Sequence, residues 1–476
     1  MYNSQNGKFC HPERQRRIPH FYARDSSPRQ GGAQNDSIST DTNSTSMSHL
    51  SQFDPEIANA IESELIRQRQ VLEMIPSENF TSEAVLEAMG SVLTNKYSEG
   101  YPGKRYYGGN EYIDQIENLA RDRAKALFGV SHANVQSYSG SPANQAVCFG
   151  LVSPGDKIMG LHLFYGGHLT HGWNVNFSGV YYTSVQYVTG RDGYIDYDAL
   201  AKQVSEEKPK LIFVGATAYP RKFDFSTLAQ IAKSVDAYLV ADISHIAGLV
   251  ISEDHPSPVG HADVITTTTH KTLRGPRGAI ILCNGESSEP LKAPPERSRK
   301  YLPTMIDRAV FPGLQGGPHN HQTAAIAVAL KEAATPEFKE YGHQVMRNAK
   351  ALAQALLDEG IALITGGTDN HLILADLTPL NIGGKQAQNV LDEVGITLNK
   401  NMIPFDTRKP FDPSGIRLGT PALTTRGFNE EDMRVIGKII GEVLKDSTNE
   451  TIKNKARDTV RELTEKHPLY PGLTVL

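Results

Sequence analysis

The sequence predicts an α/β fold: a large domain with a mainly parallel sheet flanked by helices, followed by a smaller α+β C-terminal domain. Three observations lead there. Short apolar runs recur at 157–161, 211–214, 237–241, 264–268 and 279–283, the length and composition of buried strands. Helical segments such as 226–235 separate them, the alternation expected of a parallel sheet covered on both faces. Beyond about residue 325 the order changes to a helix at 322–333, a strand-like run at 371–376 and an amphipathic helix at 429–445.

The first 46 residues are rich in Ser, Asn, Gln, Arg and Gly and lack apolar periodicity, so they are expected to be a disordered extension. Met47 is the expected start of the working chain, and Lys8, Arg14, Arg16, Arg17 and Arg24 give the leader only a weak transit-peptide character. Asp54-Pro55-Glu56 supplies a cap, a first-turn proline and an acidic first turn, after which Ile57, Ile61, Leu65 and Leu72 are expected to share a helical face. The stretch Tyr97 to Gly109 is too rich in glycine and tyrosine for a regular element and reads as a long functional loop. Residues 47–110 therefore form an N-terminal helix and arm, 111–325 the large domain and 326–476 the small one. Helical spacing returns over 111–128, with Gly129 as its stop. Pro290 to Pro303 is proline-rich and charged and is expected to be an exposed connection.

Composition narrows the function. The chain has 476 residues, 39% of them hydrophobic, and a formal net charge of −5; its isoelectric point is near 6.4 and its mean hydropathy −0.38. No apolar run approaches the ~18 residues a membrane helix needs, and no basic excess argues for obligate nucleic-acid binding. Cys10, Cys148 and Cys283 are too few and too scattered for a disulfide framework or a metal cluster. A reducing cytoplasm is the expected compartment.

Three polar features sit where strands end. Lys271 follows the run Val264 to Thr269, Asp242 closes the run 237–241, and Ser139-Gly140-Ser141-Pro142-Ala143-Asn144 opens a helix. Singly, each has an ordinary structural explanation: a solvated charge, a helix cap, a turn. Together they match what pyridoxal 5'-phosphate (PLP) requires: an amine for its aldehyde, a carboxylate for its ring nitrogen, and free helix N–H groups for its phosphate.

Further motifs complete the pattern. Ile75-Pro76-Ser77-Glu78-Asn79, Leu93 to Tyr97, Glu99 to Gly109, Gly166-Gly167-His168-Leu169-Thr170-His171-Gly172, Thr266 to Lys271, Phe311 to Pro318 and Arg417 to Ala422 occur in this order. From about Phe53 to its C-terminus the chain resembles serine hydroxymethyltransferase, a PLP enzyme of the aspartate-aminotransferase fold type. The resemblance implies fold type I with a seven-stranded type of sheet. It also implies reversible transfer of the serine hydroxymethyl carbon to tetrahydrofolate, giving glycine and 5,10-methylenetetrahydrofolate through an external aldimine and a quinonoid.

Site roles follow from the resemblance residue by residue. Lys271 carries the cofactor, Asp242 faces the ring nitrogen, His168 stacks on the ring, and His245 lies near the phenolic oxygen. Ser139, Gly140, Ser141 and His270 surround the phosphate, with Thr217 near the cofactor. Arg417 grips the substrate carboxylate, and Ser77 and Tyr107 also reach substrate. Glu99 handles a proton between the serine hydroxyl and the folate, which Leu163, Gly167, Leu169, Tyr106 and Asn401 adjoin. Tyr97, Glu99, Tyr107 and the Gly316-Gly317 backbone are expected from a neighbouring subunit, making an obligate homodimer with shared sites and leaving a tetramer open. No metal is expected: His168 and His171 stand at i, i+3, but with glycines around them and no carboxylate nearby in sequence. His162 is expected at the surface.

The sequence departs from the family's common pattern in the leader, in the length of Pro290 to Pro303, in Phe164-Tyr165, and in Ile243-Ser244, where Met-Ala is frequent; none removes a reacting group. The rival reading is a folate-independent aldolase, which would share Lys271, Asp242 and Arg417 but have no use for Leu163, Leu169, Asn401 and the Glu99 loop.

Overall fold

The computed structural model describes residues 48–283 and 301–473. Its central sheet has seven strands: β1 (His132–Asn134), β2 (Lys157–Leu161), β3 (Thr183–Tyr187), β4 (Leu211–Val214), β5 (Tyr238–Asp242), β6 (Val264–Thr268) and β7 (Ala279–Cys283), in the spatial order β1-β7-β6-β5-β4-β2-β3. Pairing is parallel from β3 through β6, whereas β7 runs antiparallel to both β6 and β1. The expected mainly parallel sheet is present. Alternation along each strand divides its side chains between two cores. Ile212, Val214, Leu239 and Ile265 enter one, and Leu211, Phe213, Val240 and Val264 the other, as the two-residue period of a strand buried on both faces dictates.

Helix ends obey local chemistry. The Asp54 side chain accepts from the Ile57 amide at the start of α1 (Pro55–Gln70), and α2 (Glu111–Phe128) stops at Gly129, whose φ of 68° suits a residue without Cβ. On the sheet lie α3 (Gly140–Leu151) and α4 (Phe225–Lys233), while α5 (Asn320–Ala333) packs along α2. The long α6 (Pro336–Asp358) follows, and α7 (Glu430–Lys445) opens with a capping box between Asn429 and Asp432. A second sheet joins β8 (Ala362–Leu363), β9 (Leu372–Asp376), β10 (Asn399–Asn401) and β11 (Gly415–Gly419), in the order β8-β9-β11-β10.

The hydrophobic cores meet along α6. Phe338, Tyr341 and Val345 belong to the central-sheet core, and Leu352 and Leu356 to that of the second sheet. Leu72 and Met74, from the N-terminal arm, also join the second core.

Several expectations are corrected. Leu72 does not share a face with Ile57 and Ile61: α1 ends at Gln70, and Leu72 pairs with Ile396 in a two-residue strand. Ile57 and Ile61 are 50% and 42% exposed, because only Ala58 and Leu65 of α1 turn inward. Pro303 is buried in the helix Leu302–Arg308, not exposed; the rest of the 290–303 segment up to residue 300, like residues 1–47, lies outside the described residues. Strands β1 and β3 carry no apolar run, since β1 is His-Ala-Asn and β3 is a half-exposed edge.

Candidate active site

The carboxyl ends of parallel β5 and β6, in register at Asp242 and Thr266, open onto a cavity of about 500 Å³. Its wall brings together Ser77, Ser139, Gly140, Ser141, His168, Thr217, Asp242, His245, His270, Lys271, Asn401 and Arg417. Ligands of open α/β sheets bind at such strand ends.

Lys271 projects from the turn after β6, its Nζ donating to Thr268 Oγ1 at 3.0 Å. Desolvation, outweighing the attraction of Asp242, pulls the amine down to about 8, with Arg417 and Arg277 adding to the fall. Asn79 fixes the backbone there: its Nδ2 donates to the Lys271 carbonyl at 2.9 Å and to Tyr341 Oη at 2.8 Å.

Asp242 ends β5 and is met by donors on both oxygens. Ser244 donates to Oδ1 through its amide at 3.1 Å and its hydroxyl at 2.5 Å. Oδ2 accepts from Asn144 Nδ2 at 2.8 Å and faces His171 Nε2 at 3.1 Å. Burial alone would raise this carboxyl, but the hydrogen bond and charge of His171, then His168 and Ser244, hold it well below the usual carboxylate range. Asn144 also accepts from Thr266 Oγ1 at 2.7 Å and donates to Thr170 Oγ1 at 2.8 Å, tying helix α3, strand β6 and the histidine turn to one carboxylate. Ser244 thus adds a hydroxyl donor to the carboxylate.

A carboxylate therefore does stand beside the two histidines. Donor atoms of His168, His171 and Asp242 lie within 4.8 Å of one another, correcting the expectation that none is near; the fold brings β5 behind a turn distant in sequence. His168 Nδ1 meets Thr170 Oγ1 at 2.7 Å and His171 Nε2 meets Asp242 Oδ2 at 3.1 Å, while His171 Nδ1 is buried without a partner among the described residues. Desolvation, then the charge of His171, pushes His168 down to about 4, so its ring is neutral at pH 7. The glycines before it are dictated by space: a Cβ on Gly167 would fall 1.8 Å from the Leu161 carbonyl oxygen. His162 is also corrected from surface residue to half-buried organiser. Its Nδ1 accepts from the Phe164 amide, and Phe164, Tyr165 and Trp173 pack edge-on around its ring.

Helix α3 points its N-terminus into the same space. Its cap residue Ser139 makes no side-chain capping bond, which leaves the hydroxyl and the first N–H groups free for an anion. A Cβ on Gly140 would come within 2.6 Å of Thr268 Cγ2, so only glycine keeps this cradle open. Beside it, His270 Nδ1 is buried without a partner among the described residues, and desolvation pushes the ring to about 3. An anion-accepting helix end, an orphaned imidazole nitrogen, an ionised carboxylate and a softened lysine fit the phosphate, ring nitrogen and aldehyde of PLP.

Arg417 enters from β11, across the cavity. Nε donates to Asn399 Oδ1 at 3.0 Å and Nη1 to the Thr217 carbonyl at 2.5 Å, which fixes the guanidinium plane. Burial lowers it to about 10, still cationic at neutral pH. Close by, His245 Nδ1 lies 3.2 Å from His371 Nε2, a contact between the loop after β5 and the start of β9.

The remaining expected residues do not line this cavity. Tyr97, Glu99 and Tyr107 cluster elsewhere on the arm, with Tyr97 Oη 3.4 Å from Glu99 Oε1 and the two tyrosine rings edge to face at 5.2 Å. Gly316 and Gly317 back onto Glu99 and Tyr97, and Tyr106, 74% exposed, leans on Phe311. Leu163 and Leu169 flank the Gly166-Gly167 turn just outside the wall, Leu169 exposed. The residues missed from sequence were Asn79, Glu78, Asn144, His171, Ser244, Arg277 and His371. Asn144 carried a readable signal, standing one helical turn after Gly140 on the same face.

Comparison with known proteins agrees with this geometry. The family model described as Serine hydroxymethyltransferase matches residues 50–440. The Serine hydroxymethyltransferase of Acidothermus cellulolyticus is 54% identical over 431 residues, covering 89% of this chain and 97% of that protein.

Proposed function

Because this chain belongs to the serine hydroxymethyltransferase family, we propose that its cavity is where serine gives up its hydroxymethyl carbon to tetrahydrofolate, reversibly yielding glycine and 5,10-methylenetetrahydrofolate. The observation that carries this reading is the convergence of Lys271, Asp242 and the open end of α3 on one cavity. PLP bound there supplies an aldehyde for the substrate amine and a sink for electrons released at Cα.

The protein's part is binding, orientation and proton handling. Lys271 would hold the aldehyde carbon through an amine already softened toward neutrality. Asp242, kept ionised, holds a proton at the ring nitrogen. Neutral His168 offers a flat ring to pack on, Thr217 and His245 adjoin the cofactor, and Ser139, Gly140, Ser141 and His270 take the phosphate. Arg417 pairs with the serine carboxylate, a bidentate grip that fixes which Cα bond is cleaved. Ser77 and Tyr107 adjoin substrate, and Leu163, Gly167, Leu169, Tyr106 and Asn401 face the folate. Glu99 moves the proton at the serine hydroxyl.

Glu99, Tyr97, Tyr107 and Gly317 belong to a neighbouring subunit's site in this reading, giving an obligate homodimer. Two features support it: these residues sit away from their own chain's cavity, and Phe53, Ile57, Ile61 and Ile66 leave an apolar stretch of the N-terminal segment exposed. Residues 111–325 supply the cofactor side, and 326–476 supply Arg417 and Asn401. Among the described residues no helix is long and apolar enough to cross a membrane; a cytoplasmic location is our proposal. The test is serine turnover with and without tetrahydrofolate, together with the visible spectrum on adding glycine. An absorption band needing both glycine and tetrahydrofolate is expected, and its appearance with glycine alone, without folate-dependent turnover, would favour a folate-independent aldolase.

A further inference from the structure

The backbone on both sides of Glu99 is held by one buried arginine. Arg105 Nη1 donates to the carbonyls of Ser98 at 2.9 Å and Gly100 at 2.8 Å, the residues on either side of Glu99. The Glu99 carbonyl accepts from the Tyr106 amide at 3.0 Å, so three successive carbonyls are pinned. Arg105 is anchored from behind, Nη2 on Glu117 Oε2 at 2.7 Å and Nε on Asp114 Oδ1 at 2.8 Å. The Arg105 and Glu117 side chains are only 4% and 3% exposed. Gln136 closes the network, its Nε2 reaching the Gly100 carbonyl at 2.9 Å and both Glu117 oxygens at 3.0 Å.

Desolvating an ion pair this completely is weak as a source of stability, since apolar residues of like volume often do as well. What a planar fork supplies, and an apolar side chain cannot, is direction: fixed N–H vectors that set the Ser98 and Gly100 carbonyls and with them the Glu99 backbone between. We propose that Arg105, held by Glu117, is a positioning residue for the Glu99 carboxylate, setting where the arm delivers that group during transfer to folate. The proposal rests on the reading of Glu99 as the proton-handling acid. Neither Arg105 nor Glu117 lines the cavity or touches a reacting atom.

The test uses the full PLP-loaded enzyme and four variants: Glu99→Gln, Arg105→Lys, Glu117→Gln and the Glu99→Gln/Arg105→Lys double. Lysine keeps the charge but cannot span two carbonyls and Glu117 in one plane. The expected result is a kcat for tetrahydrofolate-dependent serine turnover that falls roughly 100-fold in Arg105→Lys, the size of effect a displacement of about 1 Å produces. KM for serine, the bound-cofactor spectrum and folate-independent cleavage of phenylserine should stay within about threefold. The double variant should be no slower than Glu99→Gln alone, because a residue acting through Glu99 has nothing left to position. Multiplying losses in the double, or full activity in Arg105→Lys, would overturn the positioning role while leaving Glu99's role intact. Full folate-dependent activity in Glu99→Gln would overturn the Glu99 reading and this proposal with it. Should Arg105→Lys lose the cofactor, Glu117→Gln, which keeps an acceptor for Nη2, decides: a selective folate-dependent loss upholds the proposal, and equal loss of both activities overturns it.

Discussion

His171 Nε2 faces Asp242 Oδ2 at 3.1 Å, while the His171 ring lies parallel to that of Phe213, 7° apart in plane and 4.8 Å between centroids. The stack fixes the plane of the imidazole, and the bond to an ionised carboxylate turns Nε2 toward Asp242 as the protonated nitrogen. Replacing His171 with Ala removes a hydrogen bond to a charged acceptor, about 1.5–3 kcal/mol. PLP affinity is predicted to fall roughly tenfold or more, read by absorbance titration of the cofactor-free protein. Unchanged affinity would mean that Asn144 and Ser244 suffice to orient Asp242.

The Lys271 amine makes cofactor capture pH-dependent. Only the neutral amine has a lone pair for the aldehyde, and its value is lowered from 10.5 to about 8. The rate of covalent capture is predicted to climb roughly tenfold per pH unit below 8 and to level off above it. A rate still climbing past pH 9.5 would show an ordinary lysine.

Acid stability should reflect the neutral histidines. His168, His270 and His371 are lowered from 6.5 to about 4, 3 and 3, in each case chiefly by desolvation. Below pH 6.5 the unfolded chain takes up protons that the folded chain refuses, so stability is present above that pH and is lost as pH falls through this window. The expected loss is on the order of 1–2 kcal/mol per histidine at pH 5. Thermal melts of the cofactor-free protein from pH 7 to 5 check this, and His371→Asn should flatten the slope.

Arg417→Lys leaves a cation but not the planar fork. If Arg417 holds the substrate carboxylate as proposed, the KM for serine should rise at least about tenfold with the cofactor spectrum unchanged. Loss of bound cofactor instead would contradict that assignment.

Shared sites predict complementation. Neither a Lys271→Ala homodimer nor a Glu99→Gln homodimer should support folate-dependent turnover, but verified heterodimers of the two hold one intact site and should recover a measurable fraction of activity. Heterodimers without activity would place Glu99 in its own chain's site.

Much of this was legible in the sequence, for physical reasons that also mark where legibility stopped. Strands β4 and β7 announce themselves because burial on both faces favours unbroken apolar runs, and β6 through its β-branched Val-Ile-Thr-Thr-Thr, whereas β1 and β3, at the edges, carry no such demand. Lys271, Asp242 and Ser139 stand at the ends of elements, where a linear reading can see them. Asn144 and His171 act by meeting Asp242 from separate segments, Ser244 by bonding it from two residues along the same turn, and Arg105 by reaching backbone carbonyls; such contacts do not show as apolar periodicity. The neighbour of His168 and His171 was misjudged for the same reason, since Asp242 is 71 residues from His171 in the chain.

The central claim is that Lys271 is the covalent anchor of the cofactor. Reduction of the PLP-loaded protein with tritiated borohydride, followed by peptide mapping, tests it most directly. The label is predicted on the peptide containing Lys271, and should be absent from Lys271→Ala. Label on another lysine, or on none, would contradict the account.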